Sequence, residues 1–175
     1  EAIKLIANKH PKWKFGLVGS FRLGDNENTN SYASEVINKF KSIGPQAQFY
    51  GFQDHKFVQE KMKSAAIIVV PSLWQEPFGL VAAEAMSNGA CIIASKVGGI
   101  PEIIKDNGIL IENISHKKLS LTLNNLIDND KLRQNYQKKA WKNFKLSSES
   151  SSQKLDNFRK TICSNYFDFS PSLKL

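Results

Sequence analysis

Five short apolar runs alternate with amphipathic segments along the chain. The runs lie at residues 14–19, 47–50, 66–70, 91–95 and 108–111, and each has the length of a β-strand. Longer segments of helical periodicity separate them. Because the runs are mostly apolar rather than alternating, they predict a parallel sheet that is covered by helices on both faces, which is a Rossmann-like α/β fold. The run at 66–70 in particular is typical of a strand buried on both faces.

The predicted helices begin and end at recognisable signals. A helix at residues 1–8 ends before His10 and Pro11, and Pro101 opens a short helix because proline is favoured at the first helical position. The serine-rich stretch at 147–152 predicts a break before a last helix at about 153–163. The other predicted helices are 31–43, which follows a polar loop at 24–30, then 55–64, 79–88 and parts of 116–145.

The segment after the run at 66–70 carries the most chemical information. A turn with Gly79 leads into a helix of small residues whose one charged residue is Glu84. The first N–H groups of such a helix are free and point beyond the carboxyl end of the strand, where they favour a diphosphate. At about 1.5 Å of rise per residue, Glu84 and Glu76, which precedes the helix, are roughly 10 Å apart. That separation suits the two ends of one extended ligand.

Composition limits the possible classes of protein. The 175 residues are enough for one domain, and 41% hydrophobic residues are typical of a globular protein. No apolar stretch approaches about 20 residues, and the first residues lack the pattern of a signal peptide, so we expect a cytoplasmic protein. Cys91 and Cys163 show no metal-ligand spacing and are expected to be reduced and packed or incidental.

The net charge of +8 comes mainly from lysine, since 21 lysines stand beside three arginines. A nucleic-acid-binding surface usually shows arginine forks or aromatic residues within a basic stripe, and neither is visible, so no nucleic-acid partner is expected. Lysine clusters also attract anionic phospholipid, so peripheral contact with the cytoplasmic face of the inner membrane stays open beside simple compositional bias. The densest lysine group comprises Lys138, Lys139, Lys142 and Lys145.

The residues from Glu76 to Glu102 also resemble a known family. Glu76-Pro-Phe-Gly-Leu-Val-Ala-Ala-Glu84 is followed by Ala-Met-Ser-Asn-Gly-Ala and then by Ser95-Lys-Val-Gly-Gly-Ile-Pro-Glu102. This order and spacing resemble the E-x7-E signature of retaining glycosyltransferases of family 4. The resemblance covers residues 2–111 and implies one half of a GT-B fold, namely the carboxyl-terminal domain that binds the donor.

The resemblance implies a donor, an acceptor and a role for each glutamate. The donor would be a nucleoside diphosphate sugar, and the acceptor a glycan or a lipid-linked sugar, as in the synthesis of lipopolysaccharide or another cell-surface polysaccharide. Glu76 would be the catalytic residue that contacts hydroxyls of the donor sugar, and Glu84 would bind the ribose hydroxyls. The family implies no metal or other cofactor, and the sequence contains no Asp-x-Asp pair that would hold a metal ion.

Backbone amides and a second segment complete the implied site. The residues whose amides would hold the sugar and the diphosphate are Phe78, Gly79, Leu80 and Val81. The residues that would line the nucleobase are Gly51, Phe52, Gln53, Asp54 and Lys56.

Simpler interpretations compete with several of these roles. Glu84 could be a solvated helix glutamate, and Glu76 could be an acid that the helix dipole favours. Asp54 is equally suited to cap the helix at 55–64, because aspartate is a preferred N-cap. Lys56 is better interpreted as a surface lysine.

Other residues near the motif also have two interpretations. The pair Gly98-Gly99 permits close approach of the backbone to a ligand, or serves a turn before the next helix. Trp74 could close over the donor, although packing is the favoured interpretation. His10, His55 and His116 have no metal or acid-base partner nearby in sequence and are expected to be surface residues.

The chain departs from the family pattern at its amino-terminal end. Family members carry a strand and an Arg/Lys pair for the diphosphate upstream of a helix like 1–8. We therefore expect a nucleotide-sugar-binding domain at 1–146 that lacks its first strand, and a carboxyl-terminal helix and tail at 147–175. Arg22 or Lys96 would be guesses for the missing cations. With the amino-terminal acceptor domain also missing, the chain is expected to be a fragment that is inactive alone.

Two other classes of function stay open at this point. A glycoside hydrolase could use Glu76 and Glu84 as acid and base, since an inverting pair is separated by about 6.5–9.5 Å. A non-catalytic nucleotide-binding or nucleic-acid-binding module is the other alternative. Cleavage of a free glycoside would reveal the first, and salt-sensitive binding of an oligonucleotide the second.

Overall fold

The computed structural model describes residues 1–19 and 31–166 and shows five parallel strands. Their order confirms the predicted parallel α/β fold, but they form two ladders instead of one continuous sheet. The predicted loop at 24–30 and Arg22 lie outside the described residues. The first ladder pairs β1 (Phe15–Val18) with β2 (Ala47–Gly51), and the second has the order β3 (Ile67–Val70), β4 (Cys91–Ser95), β5 (Ile109–Ile111).

Eight α-helices accompany these strands in the described part of the chain. Side-chain caps begin four of them. Asp54 accepts a hydrogen bond from the amide of Phe57, and Ser115 accepts one from the amide of Lys118. Asn129 and Ser147 cap α7 and α8 in the same way. The helices are α1 (Ala2–Ile6, continued by a 3-10 turn at Ala7–Lys9), α2 (Ser31–Lys41), α3 (His55–Ser64), α4 (Leu80–Ser87), α5 (Ile100–Ile104), α6 (His116–Asp128), α7 (Asp130–Asn143) and α8 (Ser148–Tyr166).

The core lies around β4, which is the one strand among the described residues that is buried along its whole length. Cys91 and Ile93 of β4 pack with Ile6 of α1 and with Leu123 and Leu126 of α6. Cys91 is a free, fully buried thiol, as expected, and burial raises the pKa of this thiol to about 12. The side chain of Cys163 lies outside the described part.

Three expectations fail, each for a physical reason. The run at Ile67–Val70 is not buried on both faces, since only Val70 is buried and the first three residues are half-buried. In the described residues β3 has a neighbouring strand on one side only, which is β4. The serine-rich stretch is largely helical, because Ser147 accepts a hydrogen bond from the amide of Ser150 and so caps α8. His10 is only 8% exposed, and its Nε2 lies 2.7 Å from Oδ1 of Asn124 on α6, a contact between distant parts of the sequence.

The described chain divides into two compact units after Lys142. The first unit carries all five strands. The second contains α8, whose residues 151–162 are all exposed. None of the described helices has the length and apolar character that crossing a bilayer requires.

Candidate functional site

The loop after β3 holds Glu76 in place. Ser72 donates a hydrogen bond of 3.0 Å from its Oγ to Oε1 of Glu76, and the Glu76 side chain is half-buried. The carbonyl of Glu76 accepts a hydrogen bond of 2.8 Å from the amide of Gly99, which lies in the loop after the neighbouring strand β4. The loops after β3 and β4 therefore hold both the carboxylate and the backbone of Glu76.

Gly98 and Gly99 make that contact sterically possible. A Cβ on Gly98 would lie 2.1 Å from the carbonyl oxygen of Glu76, and one on Gly99 would lie 2.7 Å from that of Pro77. Gly98 also has a φ of +52°, and its amide donates a hydrogen bond of 2.7 Å to Oε1 of Gln75. The close approach that the glycine pair permits is thus made to the backbone around Glu76, a role that the sequence did not suggest.

Gly79 begins α4 as its N-cap, one residue before the first helical position. Its φ is +88°, and a Cβ there would lie 2.8 Å from Cγ1 of Ile100, so both conformation and space favour glycine. The Gly79 carbonyl accepts hydrogen bonds from the amides of Ala82 and Ala83. Within the described residues, the N–H groups at positions 78–81 donate to no acceptor. The start of α4 therefore has open N–H donors, as the sequence predicts, and anion binding by them stays a prediction.

Glu84 projects from a helix whose neighbouring residues are buried. Ala83 and Ala85 are at most 6% exposed, and the side chain of Glu84 itself is only 24% exposed. Its one ion-pair contact among the described residues is Nδ1 of His55, at 3.8 Å. A fully solvated glutamate therefore does not fit. His55 is exposed, as expected, but sequence reasoning missed its contact with Glu84 because 29 positions separate the two residues.

The second predicted segment, after β2, uses its polar groups locally. The carbonyl of Gly51 accepts a hydrogen bond of 2.9 Å from the amide of Gly19, and Gln53 donates one of 2.7 Å to the carbonyl of Tyr50. The capping interpretation of Asp54 is confirmed by its bond to the amide of Phe57. Phe52 is 74% exposed. Lys56 is an exposed surface lysine, as expected.

Two further residues near the site are now placed. Trp74 is 59% exposed, so the favoured packing interpretation is wrong. Lys96 forms an ion pair and hydrogen bond with Glu112, which lower the pKa of that carboxyl. Because Glu112 neutralises the charge of Lys96, Lys96 is a poor candidate for a cation that binds the diphosphate. The described part of the chain contains no group of three His, Cys, Asp or Glu residues suited to a metal ion.

The sequence profile of the family described as glycosyl transferases group 1 matches residues 1–143. The chain belongs to this family. Its group 1 sequence is 30% identical over 106 residues to the lipopolysaccharide 1,2-N-acetylglucosaminetransferase of Salmonella typhimurium, covering 61% of this chain and 28% of that protein. The chain spans about a third of the length of the curated relatives it matches.

Solved structures of other proteins share the fold. The carboxyl-terminal domain of a group 1 family protein, LpcC of Francisella tularensis, has a TM-score of 0.66 and 27% identity over 88% of this chain and 75% of that one. A mutant of S. aureus TarM, in complex with fondaparinux, α-GlcNAc-glycerol and UDP, has a TM-score of 0.69 and 26% identity over 89% of this chain and 31% of that one. The fold is therefore that of a GT-B glycosyltransferase domain, and membership of this family favours a transferase over a hydrolase.

Proposed function

We propose that this group 1 domain binds a nucleoside diphosphate sugar and is the donor half of a retaining GT-B glycosyltransferase of family 4. One observation carries the proposal: open amide donors at the start of α4 lie in sequence between two carboxylates, Glu76 and Glu84, that no lysine or arginine of the described residues neutralises. Such a set offers donors to a dianionic diphosphate and acceptors to sugar hydroxyls on either side.

The two glutamates take different ends of the donor in this proposal. Glu84 is three-quarters covered and has unfilled acceptor capacity, which suits bidentate binding of the ribose hydroxyls. Glu76 accepts one hydrogen bond from Ser72, which restrains its carboxylate, and in the proposal this carboxylate binds hydroxyls of the transferred sugar. The amides of residues 78–81 then meet the diphosphate between them.

The reaction would be driven mainly by electrostatics. The bond between the anomeric carbon and the diphosphate oxygen breaks, and the sugar passes through an oxocarbenium-like state. The acceptor hydroxyl forms the new bond on the same face and gives its proton to the departing diphosphate oxygen. Negative charge develops on the leaving diphosphate, and amide donors aimed at it lower the barrier. Lysine or arginine side chains would complete this stabilisation.

The proposed acceptor is a glycan or lipid-linked sugar of a cell-surface polysaccharide such as lipopolysaccharide. The similarity to the Salmonella lipopolysaccharide 1,2-N-acetylglucosaminetransferase supports this choice and the transfer of a hexose. An amino-terminal domain would bind the acceptor, in the cytoplasm or at the inner membrane surface. Because a cleft between two domains supplies orientation and excludes water, the chain alone would bind donor but transfer nothing.

A binding panel tests the proposal. Calorimetry with UDP, GDP, ADP and their glucose derivatives should show that the chain binds one nucleotide in preference to the other two. Methyl α-glucoside and a bare oligonucleotide serve as controls. Cleavage of the glucoside without nucleotide would favour a hydrolase. Salt-sensitive binding of the oligonucleotide would favour a nucleic-acid-binding module. Absence of binding to all three nucleotides and their glucose derivatives would refute donor binding. Sustained glycosyl transfer by the chain alone would contradict the two-domain part of the proposal.

A further inference from the structure

Ser95, the last residue of β4, has a buried hydroxyl without a hydrogen-bond partner. The residue is 1% exposed, and its Oγ bonds to no other group in the part of the chain that the structure describes. Burial of such a hydroxyl costs free energy, because the group loses its hydrogen bonds to water and gains none in return. Most buried polar groups in folded proteins do have a partner, so this exception requires an explanation.

Ser120 on α6 shows the usual arrangement. This serine is buried to a similar extent, at 6% exposed, and its Oγ donates a hydrogen bond of 2.9 Å to the carbonyl of Lys117. The two serines therefore differ in whether the hydroxyl is bonded within the protein. Ser120 is a matched reference for Ser95.

A cavity of about 420 Å³ is lined by Ser95 at the carboxyl ends of β4 and β5. The loop after β3 contributes Ser72 and Gln75 to its lining, and the segment after β5 contributes Asn113. The volume falls within the range of about 300–1,000 Å³ that is typical of small-molecule sites. The unpaired hydroxyl and a cavity of ligand size therefore occur at the same place.

The cavity offers neutral hydrogen-bonding groups and no free charge. Its two charged lining residues, Lys96 and Glu112, form an ion pair with each other. Gln75 accepts a hydrogen bond from the amide of Gly98 through Oε1, and its amide nitrogen makes no hydrogen bond within the described residues. Amide and hydroxyl groups both donate and accept hydrogen bonds, so they suit the hydroxyl or amide groups of a neutral ligand.

Apolar side chains form the rest of the lining. They include Leu73, which is 82% exposed, together with Val97 and Ile114. Apolar walls with a few polar groups are typical of small-molecule sites. A sugar ring has hydroxyls at its rim and C–H groups on its faces, and so matches both parts of this lining.

The cavity adjoins Glu76 and not Glu84. Ser72 lines the cavity and also donates a hydrogen bond of 3.0 Å to the carboxylate of Glu76. Among the described residues, neither Glu84 nor any other residue of α4 lines it. The cavity therefore lies beside the glutamate that the proposed function assigns to sugar hydroxyls.

We propose that this cavity binds a neutral sugar unit and that the hydroxyl of Ser95 bonds to it. A hydroxyl or acetamido group of the sugar supplies the partner that Ser95 lacks within the described chain, while Gln75 and Asn113 bond to other groups on the ring. The sugar belongs to the donor or to the acceptor of the proposed transferase. The inference rests on the proposed function for the role of Glu76 beside the cavity.

Two serine variants of the full chain test the proposal. Amide NMR follows the backbone signals of Ser95, Lys96 and Asn113 during titration with methyl α-glucoside, methyl α-N-acetylglucosaminide, and the glucose derivatives of UDP, GDP and ADP. At least one of these ligands should shift the signals of the wild-type chain. Ser95→Ala should lower the affinity for that ligand about tenfold, because a hydrogen bond is lost, and Ser120→Ala should leave it unchanged.

Urea unfolding should give the opposite pattern. Ser95→Ala removes a hydroxyl that the fold leaves unpaired, so its urea midpoint should equal or exceed that of wild type. Ser120→Ala removes a satisfied hydroxyl, and its midpoint should fall. A Ser95→Ala variant with a lower midpoint and unchanged sugar affinity would overturn the proposal, because its hydroxyl would then serve the fold alone.

Methyl α-glucuronide tests the preference for a neutral ligand. Its carboxylate finds no free cation in the cavity and lies near Glu76, so it should bind at least about tenfold more weakly than the glucoside. Equal affinities of these two glycosides would overturn the proposed neutral class.

Competition identifies the source of the sugar. Free-glycoside binding that persists at saturating nucleotide sugar would assign the cavity to the acceptor, whereas mutual displacement would assign it to the donor; both outcomes support the proposal. Absence of shifts at the three amides with every sugar would overturn it. Binding of UDP, GDP or ADP in that same experiment would leave the proposed nucleotide site intact, and sugar-induced shifts without binding of any nucleotide would contradict only the donor role.

Discussion

The two segments predicted to contact the donor differ in what their polar groups are bonded to. In residues 51–56, Gln53 donates a hydrogen bond to the carbonyl of Tyr50, and Asp54 accepts one from the amide of Phe57, so both are bonded to residues adjoining the segment. In residues 76–84, the first amides of α4 donate to no described acceptor, and Glu84 has only His55 as an ionic neighbour there. The difference teaches that unused hydrogen-bonding capacity lies in the second segment, whereas the first offers backbone shape and the exposed ring of Phe52.

The largest effect is expected from a substitution in the glycine pair that supports the backbone of Glu76. Gly98→Ala places a Cβ 2.1 Å from the Glu76 carbonyl oxygen at a φ of +52°. We expect the free energy of unfolding to fall by about 2–5 kcal/mol, or the Glu76 loop to move and weaken sugar-nucleotide binding. Urea unfolding and calorimetry measure the two outcomes.

Gly44→Ala is the matched control for this substitution. Gly44 also has a positive φ, +91°, but a Cβ there meets no heavy atom within 4 Å. The Gly44→Ala variant should lose only about 1 kcal/mol in free energy of unfolding and should bind the sugar nucleotide as tightly as wild type. If Gly98→Ala behaves like Gly44→Ala in both measurements, the loop contact does not support the site.

Glu84→Gln tests the unused carboxylate directly. Replacing charge-assisted hydrogen bonds to ribose by neutral ones should weaken binding of the preferred nucleoside diphosphate by about 1–3 kcal/mol, with little change in folding. Glu60→Gln removes the same charge from an exposed position on α3 and should leave affinity unchanged. Equal affinities of wild type and Glu84→Gln would contradict the ribose role.

Glu76→Ala sharpens the comparison within the second segment. Affinity for the free nucleoside diphosphate should stay the same, while affinity for the intact sugar nucleotide falls by about 1–2 kcal/mol. Ser72→Ala removes one hydrogen bond to the same carboxylate and should produce a smaller loss of the same kind. A parallel loss for both ligands would show that the two ends of the donor are assigned wrongly.

The smallest effect on binding is expected in the first segment. Asp54→Ala removes the cap of α3 and should lower the free energy of unfolding by about 1 kcal/mol without changing nucleotide affinity. Ser115→Ala removes the corresponding cap of α6 and provides the stability reference. A tenfold loss of affinity in Asp54→Ala alone would mean that its carboxylate contacts the donor after all.

Local signals made much of the fold predictable. The five strands followed from apolar runs, the start of α3 from Asp54 and that of α5 from Pro101, because each signal acts within a few residues. Glycine at position 79 likewise located the start of α4 to within one residue.

What the sequence did not reveal depends on contacts between distant residues. The burial of His10 requires Asn124, and the contact of His55 with Glu84 requires α3 and α4 to pack together. The partial exposure of Ile67 depends on the neighbours of β3 in the sheet, and the apolar sequence of β3 does not indicate what those neighbours are. The helix at Ser148 was missed because serine favours loops in general but caps a helix when its hydroxyl meets a free amide.

The backbone contact between the loops after β3 and β4 has a practical consequence for engineering. Residues 75–77 and 98–99 form one interlocking unit, since the amides of the glycines bond to Gln75 and Glu76 and their missing side chains leave space for that backbone. A chimera that exchanges the Glu76 loop with that of another protein keeps this contact only where the new loop also fits against Gly98 and Gly99. Libraries that randomise this region should therefore vary both loops together.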